Sequence, residues 1–321
     1  MAKTLQAIIV AIIAIFAGTW PAQASFPEKD ITFIVPYAPG GTFDTYVRAI
    51  SAALERHLPN KVHVIPNNIP GGDGAKAVGT MWRAKPDGYT IAIFDVPGEL
   101  LPQIANNPPP PYDLRKMTWL ASAGADPYGV AVAGNSSIKN LTDMKALGRP
   151  VKMTSTGPGS TSYVVTHIVM DVLDIPMSSI SGYRGSSEYV IGAMRGDGDG
   201  TIAVVPQLLK FHESGDLKTI ALLAVTAAKS PFPGVPDATV LGKPDLAKLA
   251  IRRLIGAPPN LPDDVRRILE DSLMKAMTDP ETVKILQAAG SDLVPEPGNK
   301  AAAYLNESIE LYTRYQKYIQ E

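Results

Sequence analysis

Two short turns hold most of the residues that could do chemistry in this 321-residue chain. The first is Pro39-Gly40-Gly41-Thr42-Phe43-Asp44, just after the apolar run Ile31 to Val35. Its glycines, Gly40 and Gly41, permit positive φ and a close backbone approach. Thr42 or Asp44 can cap a helix that starts there. The free N–H groups and positive dipole end of such a helix suit an anionic oxygen. An ordinary tight strand-to-helix turn would use the same residues, so this turn alone leaves both readings open. The second turn, Ser155-Thr156-Gly157-Pro158-Gly159-Ser160, has the same context and adds the hydroxyls of Ser155, Thr156 and Ser160. Two anion-suited turns in different blocks of the chain are what a cleft-closing binding protein requires, each lobe donating hydrogen bonds to one ligand.

Enzyme motifs do not assemble. Gly196-Asp197-Gly198-Asp199-Gly200 precedes a strand-like run, whereas a dinucleotide fingerprint must follow one. Ser160 lies in no Gly-x-Ser-x-Gly elbow, and there is no Gly-Lys-Ser/Thr phosphate loop. His57, His63, His167 and His212 show no metal-ligand spacing, and Asp197 and Asp199 lack the other ligands of a calcium loop. No metal or cofactor is therefore expected.

The elements that must position the turns alternate between strand and helix. Strands are expected at 31–35, 62–65, 89–94, 151–154 and 201–205, while 129–133 begins a second block and 217–225 carries the chain back out of it. Helices are expected over about 47–58, 75–84, 161–173 and 187–194, and the chain beyond 225 reads as mostly helical. The Pro108 to Pro111 run makes 95–118 irregular. This alternation implies an α/β fold with parallel pairing and right-handed crossovers.

Lys3, the apolar run Ile8 to Ala17 and Ala22-Gln23-Ala24 together predict a signal peptide cleaved after Ala24. The apolar run is shorter than the roughly 20 residues of a membrane span, so no anchor is expected after cleavage. Lys plus Arg (30) nearly balances Asp plus Glu (31), which leaves no basic field for nucleic acid. With no cysteine, disulfides and thiolate chemistry are excluded. A soluble periplasmic protein fits these features.

The run Ile34-Val35-Pro36-Tyr37-Ala38-Pro39-Gly40-Gly41-Thr42-Phe43-Asp44 resembles the opening signature of the Bug, or TctC-like, family of periplasmic solute-binding proteins of tripartite tricarboxylate transporters. The resemblance continues through Asn67 to Gly74, Lys85-Pro86-Asp87-Gly88-Tyr89-Thr90, Ser155 to Ser160, Tyr183 to Ser186, Pro231 to Asp237, Ala257 to Pro262 and Met277 to Glu281. It implies a two-lobed, Venus-flytrap α/β fold, with residues 25–125 plus 226–321 in one lobe and 126–225 in the other. It implies non-catalytic capture of a small organic carboxylate (a di- or tricarboxylate or an aromatic acid), held between the two turns and delivered to inner-membrane transporter subunits. By position, Gly40, Gly41, Thr42 and Asp44 match the first-lobe loop, and Ser155, Gly157, Gly159 and Ser160 match the second turn. Tyr37 and Thr156, beside them, are further candidate ligand residues.

Three departures bear on the ligand. Tyr163-Val164 stands where relatives often have His-Leu, Arg184 where many have lysine, and Phe43 puts a ring inside the first loop. Arg184 is thus a candidate partner for a second carboxylate, and Phe43 hints at an apolar or aromatic ligand body. The expected protein is a monomer. A periplasmic α/β hydrolase, or a binding protein that reports to a sensor kinase, is the alternative.

Overall fold

The computed structural model describes residues 26–72, 74–225, 230–289 and 291–320. The expected signal peptide lies outside the described residues. The first elements are β1 (Ile31–Val35), α1 (Thr42–His57), β2 (Val64–Asn68), α2 (Ala75–Trp82), β3 (Thr90–Val96), α3 (Leu101–Ala105) and β4 (Thr118–Asp126). There follow β5 (Tyr128–Ala133), α4 (Leu141–Lys145), β6 (Val151–Thr154), α5 (Thr161–Val172), β7 (Met177–Ile180), α6 (Ser186–Arg195), β8 (Gly200–Val204), α7 (Val205–Glu213) and β9 (Leu217–Leu223). The last are β10 (Ile251–Ala257), α8 (Asp263–Thr278), α9 (Pro280–Ala288), β11 (Glu296–Pro297) and α10 (Gly298–Arg314).

These strands form two sheets, one in each lobe of a periplasmic-binding-protein fold. The first has the order β11-β4-β10-β3-β1-β2 and the second β7-β6-β8-β5-β9. The chain leaves the first sheet through Asp126-Pro127-Tyr128, a single residue between β4 and β5.

Strand alternation sets which core each side chain joins. Ile31, Phe33 and Val35 of β1 pack with Val47, Ile50 and Leu54 of α1 and Leu269 and Leu273 of α8. Ile34, between them, turns to the opposite face and joins Phe94, Leu254, Leu305 and Tyr312. That second cluster continues into the other lobe through Val130, Val132, Val165 and Ile168. On the far side of the second sheet, Ala131 and Ala203 meet Val190 of α6 and Leu208 of α7.

Several expectations are corrected. Pairing is parallel for β1 with β2 and β3, and for β6 with β7 and β8, but antiparallel around β10 and β5. Pro66, expected to stop the second strand, lies inside β2 opposite Phe33. It is tolerated because β2 is the edge of its sheet. The region beyond 225 is not mostly helix at its start, since β10 is an inner strand between β3 and β4. Its Arg252-Arg253 pair interrupts the apolar run that would have marked it. Within 95–118 the chain forms α3 and a 3-10 turn at Leu114–Lys116. Val205, expected to end a strand, opens α7, where Pro206 fits the first turn.

Candidate functional site

The first-lobe loop is held from within. Gly40 has φ +85°, a conformation that suits glycine. Neither Thr42 nor Asp44 caps α1, whose N-cap is Gly41. Asp44 instead turns its carboxylate back along the loop and accepts from Gly40 N–H at 2.8 Å, Arg48 Nε at 2.9 Å and Asn68 Nδ2 at 3.0 Å. Asn68 Nδ2 also donates to the Tyr37 carbonyl at 2.9 Å, tying β2 to the start of the loop. The guanidinium of Arg48, with help from the Gly40 and Asn68 donors, lowers the Asp44 carboxyl to about 2. Gly40, Gly41 and Thr42 stand exposed, and the N–H groups at the start of α1 have no carbonyl one turn behind them.

Phe43 is buried. Its ring lies 5.2 Å from that of Tyr37 and 5.3 Å from the guanidinium of Arg253. The aromatic group that hinted at an apolar ligand thus packs inside its own lobe.

The second-lobe turn is a network of short hydroxyl contacts. Gly157 and Gly159 both take positive φ, which folds the turn back on itself. Thr156 Oγ1 donates to Ser160 Oγ at 2.5 Å and is hydrogen-bonded to Ser162 Oγ at 2.7 Å. Ser160 Oγ donates to the Gly157 carbonyl at 2.7 Å and accepts from Tyr163 N–H, capping α5. Ser162 Oγ accepts from Thr156 N–H at 3.1 Å. The hydroxyls therefore stiffen the turn, while the N–H groups of Thr161 and Ser162 open the helix without intrahelical partners. Ser155 is buried, its N–H donating to Ile180, and its Oγ has no hydrogen-bond partner among the described residues.

The two lobes face each other across a cleft of about 470 Å³. Tyr37, Asp95 and Ile251 line it from the first lobe. Across from them stand Thr156, Ser160, Thr161 and Ser162 at the start of α5, and Gly185 and Ser186 at the start of α6. Tyr128, Tyr189, Val204 and Gln207 complete the lining. Two helix N-termini thus open into one cleft, a concentration of donors and positive dipole that favours an anionic group.

Of the sequence candidates, Tyr37, Thr156 and Ser160 line this cleft. Gly40, Gly41 and Thr42 follow Tyr37 closely in the chain without lining it. Asp44, Ser155, Gly157 and Gly159 do not line it either. Arg184 does not line this cleft: its side chain is 89% exposed and bonds Glu188, one turn on, at 2.7 Å. Asp197 and Asp199 are engaged by Arg195 and Arg149, and no group of acidic and histidine side chains among the described residues could hold a metal ion.

Asp95, Tyr128 and Tyr189 were not foreseen. Asp95 ends an apolar strand, where a lone charge is a readable signal. Its Oδ2 accepts from Tyr37 OH at 2.7 Å. Beside it on β10 lies Arg253, only 2% exposed, paired with Asp126 and stacked over Tyr46 at 4.5 Å. Burial raises the phenols of Tyr128 and Tyr189 above their usual range, so both stay neutral donors.

Known proteins share the fold that holds this cleft. The model of the tripartite tricarboxylate transporter family receptor, TctC, matches residues 46–320. A UPF0065 protein in the gbd 5' region of Cupriavidus necator is 28% identical over 282 residues, covering 85% of this chain and 83% of its own. A TctC solute-binding protein from Polaromonas, solved with no ligand, superposes with a TM-score of 0.79 at 20% identity, over 91% of this chain and 99% of its own. An R. palustris protein solved with adipate gives a TM-score of 0.70 at 20% identity, over 92% and 98%. At these identities the two structures speak for the fold.

Proposed function

The chain belongs to the tripartite tricarboxylate transporter receptor family, and on that premise we propose that it captures a small organic carboxylate in the interlobe cleft. The observation that carries this reading is the convergence of the α5 and α6 N-termini on the cleft lining. Their main-chain N–H groups suit a carboxylate, with the hydroxyl network of Thr156, Ser160 and Ser162 holding the turn rigid. The exposed Gly40–Thr42 backbone would reach the ligand when the lobes close. Adipate in the R. palustris relative gives the size class.

In this reading residues 1–24 direct export and are removed, leaving 25–125 plus 226–321 as one lobe and 126–225 as the other. No helix among the described residues is long and apolar enough to cross a membrane. The loaded protein hands its ligand to the membrane subunits of a transporter and performs no chemistry on it. Calorimetry of the mature chain against carboxylates of adipate size and smaller tests the reading. Saturable binding that disappears when Ser160 and Ser162 are both replaced by valine is the expected result. Indifference to every carboxylate offered would end it.

A further inference from the structure

Most polar side chains around the cleft are already engaged. Thr156, Ser160 and Ser162 bond one another. Tyr37 donates to Asp95, whose charge is also coupled to the buried Arg253. Thr161 and Ser186 open α5 and α6 and so stand at the end that takes the carboxylate. Tyr128 and Tyr189 differ. They are only 3% and 4% exposed, yet both line the cleft, and neither hydroxyl has a hydrogen-bond partner among the described residues. The unpartnered hydroxyl of Tyr312, by contrast, is sealed in the core and forms no part of the lining.

Three elements of the second lobe bring these donors together. Tyr128 opens β5 directly after the interlobe crossing and pairs across the sheet with Val204, so the two side chains share a face. Gln207, in the first turn of α7, adds an amide that makes no hydrogen bond among the described residues. Tyr189 comes from α6, one turn in from the N-terminus offered to the carboxylate. The Tyr128 phenol lies near enough to that of Tyr189 to sense its charge, and burial keeps both protonated, so each presents an O–H.

An unpartnered donor costs little while the cleft is wet. When the lobes close over a ligand the water leaves, and a phenol that meets a methylene is left unpaired. A hydroxyl or carbonyl oxygen in the same place satisfies it. A site built on such groups discriminates by an oxygen far more sharply than an apolar pocket discriminates by a methylene.

We propose that Tyr128 and Tyr189, with Gln207 beside them, are the specificity-determining residues of the cleft, and that they bind an uncharged hydroxyl or carbonyl oxygen on the ligand's body beyond its carboxylate. This rests on the carboxylate reading above and names the ligand class within it: hydroxy- and oxo-acids ahead of their plain counterparts.

The test uses ligand pairs that differ by one oxygen function: β-hydroxybutyrate against butyrate, malate against succinate, α-ketoglutarate against glutarate, and p-hydroxybenzoate against benzoate. Calorimetry of the mature protein should show the oxygenated member of at least one pair binding about tenfold or more tighter. Tyr128→Phe and Tyr189→Phe, which remove only the hydroxyl, should each shrink that preference at least about threefold while leaving the plain partner's affinity within about twofold. Plain acids binding as tightly as their partners in every pair, or a preference that both variants keep, would overturn the inference and leave carboxylate capture standing. The wild-type ranking decides this even if a variant fails to fold. Binding of none of these ligands would overturn both.

Discussion

Asp44 offers the sharpest test of how the first-lobe loop is held. Asp44→Asn removes the charge but little volume, and the amide can still accept one of the three hydrogen bonds now made to Gly40, Arg48 and Asn68. A carboxyl lowered from 3.8 to about 2 corresponds to about 2.5 kcal/mol of preference for the folded carboxylate. Arg48, whose hydrogen bond is the largest cause, is half exposed, so solvent weakens its share. A net loss of about 1.5–2 kcal/mol, or roughly 3–5 °C in Tm, is expected at neutral pH. The pH dependence follows from the depressed folded value. The carboxylate's contribution is complete above the unfolded value near 4 and fades as pH falls toward 2. Thermal melts of wild type and variant should therefore differ most at pH ~5 and draw together as pH falls through ~2. A gap that stays constant over that range would mean the loop does not depend on an ionised Asp44.

Four further outcomes are expected. Gly41→Val should abolish carboxylate binding and leave the melting curve nearly unchanged, because a Cβ at Gly41 meets only the Ala38 carbonyl at 3.8 Å; calorimetry beside a thermal melt checks both halves. Arg184→Ala should leave affinity within about twofold, since its side chain is spent on a surface pair with Glu188; a loss of tenfold in a titration would restore it as a ligand residue. Gly74→Ala should cost about 2–4 kcal/mol in urea unfolding, because φ there is +92° and a Cβ would lie 2.6 Å from the buried Glu99 Oε1. Arg253→Met should cost about 3–5 kcal/mol by stranding Asp126 without its cation, and adding Asp126→Asn should recover much of it in the same assay.

What could be read in the sequence was whatever depends on local pattern. The alternation of Ile31, Phe33 and Val35 against Ile34 gave β1, and the glycines on either side of Pro158 gave the second turn. Other residues have partners that the sequence reading did not assign to them. Asp44 looked like a helix cap, yet its partner Asn68 lies 24 residues away on another strand. Phe43 looked like a ligand contact because its neighbours in sequence are glycines, while its neighbours in space are Tyr37 and Arg253. Arg184 carries a charge suited to a carboxylate, but it is paired with Glu188 one helical turn on. β10 was hidden because a buried arginine is rare enough that Arg252-Arg253 reads as surface.

The single proline between β4 and β5 has a mechanical consequence. Pro127 has its φ fixed near −65°, so this crossing carries few soft dihedrals: ψ of Pro127 and those of Asp126 and Tyr128. Both ends are anchored, Asp126 by Arg253 in one lobe, and the Pro127 carbonyl by Val205 N–H in the other. This connection is a short flexure rather than a tether: it can turn about its few soft dihedrals but has no slack to lengthen.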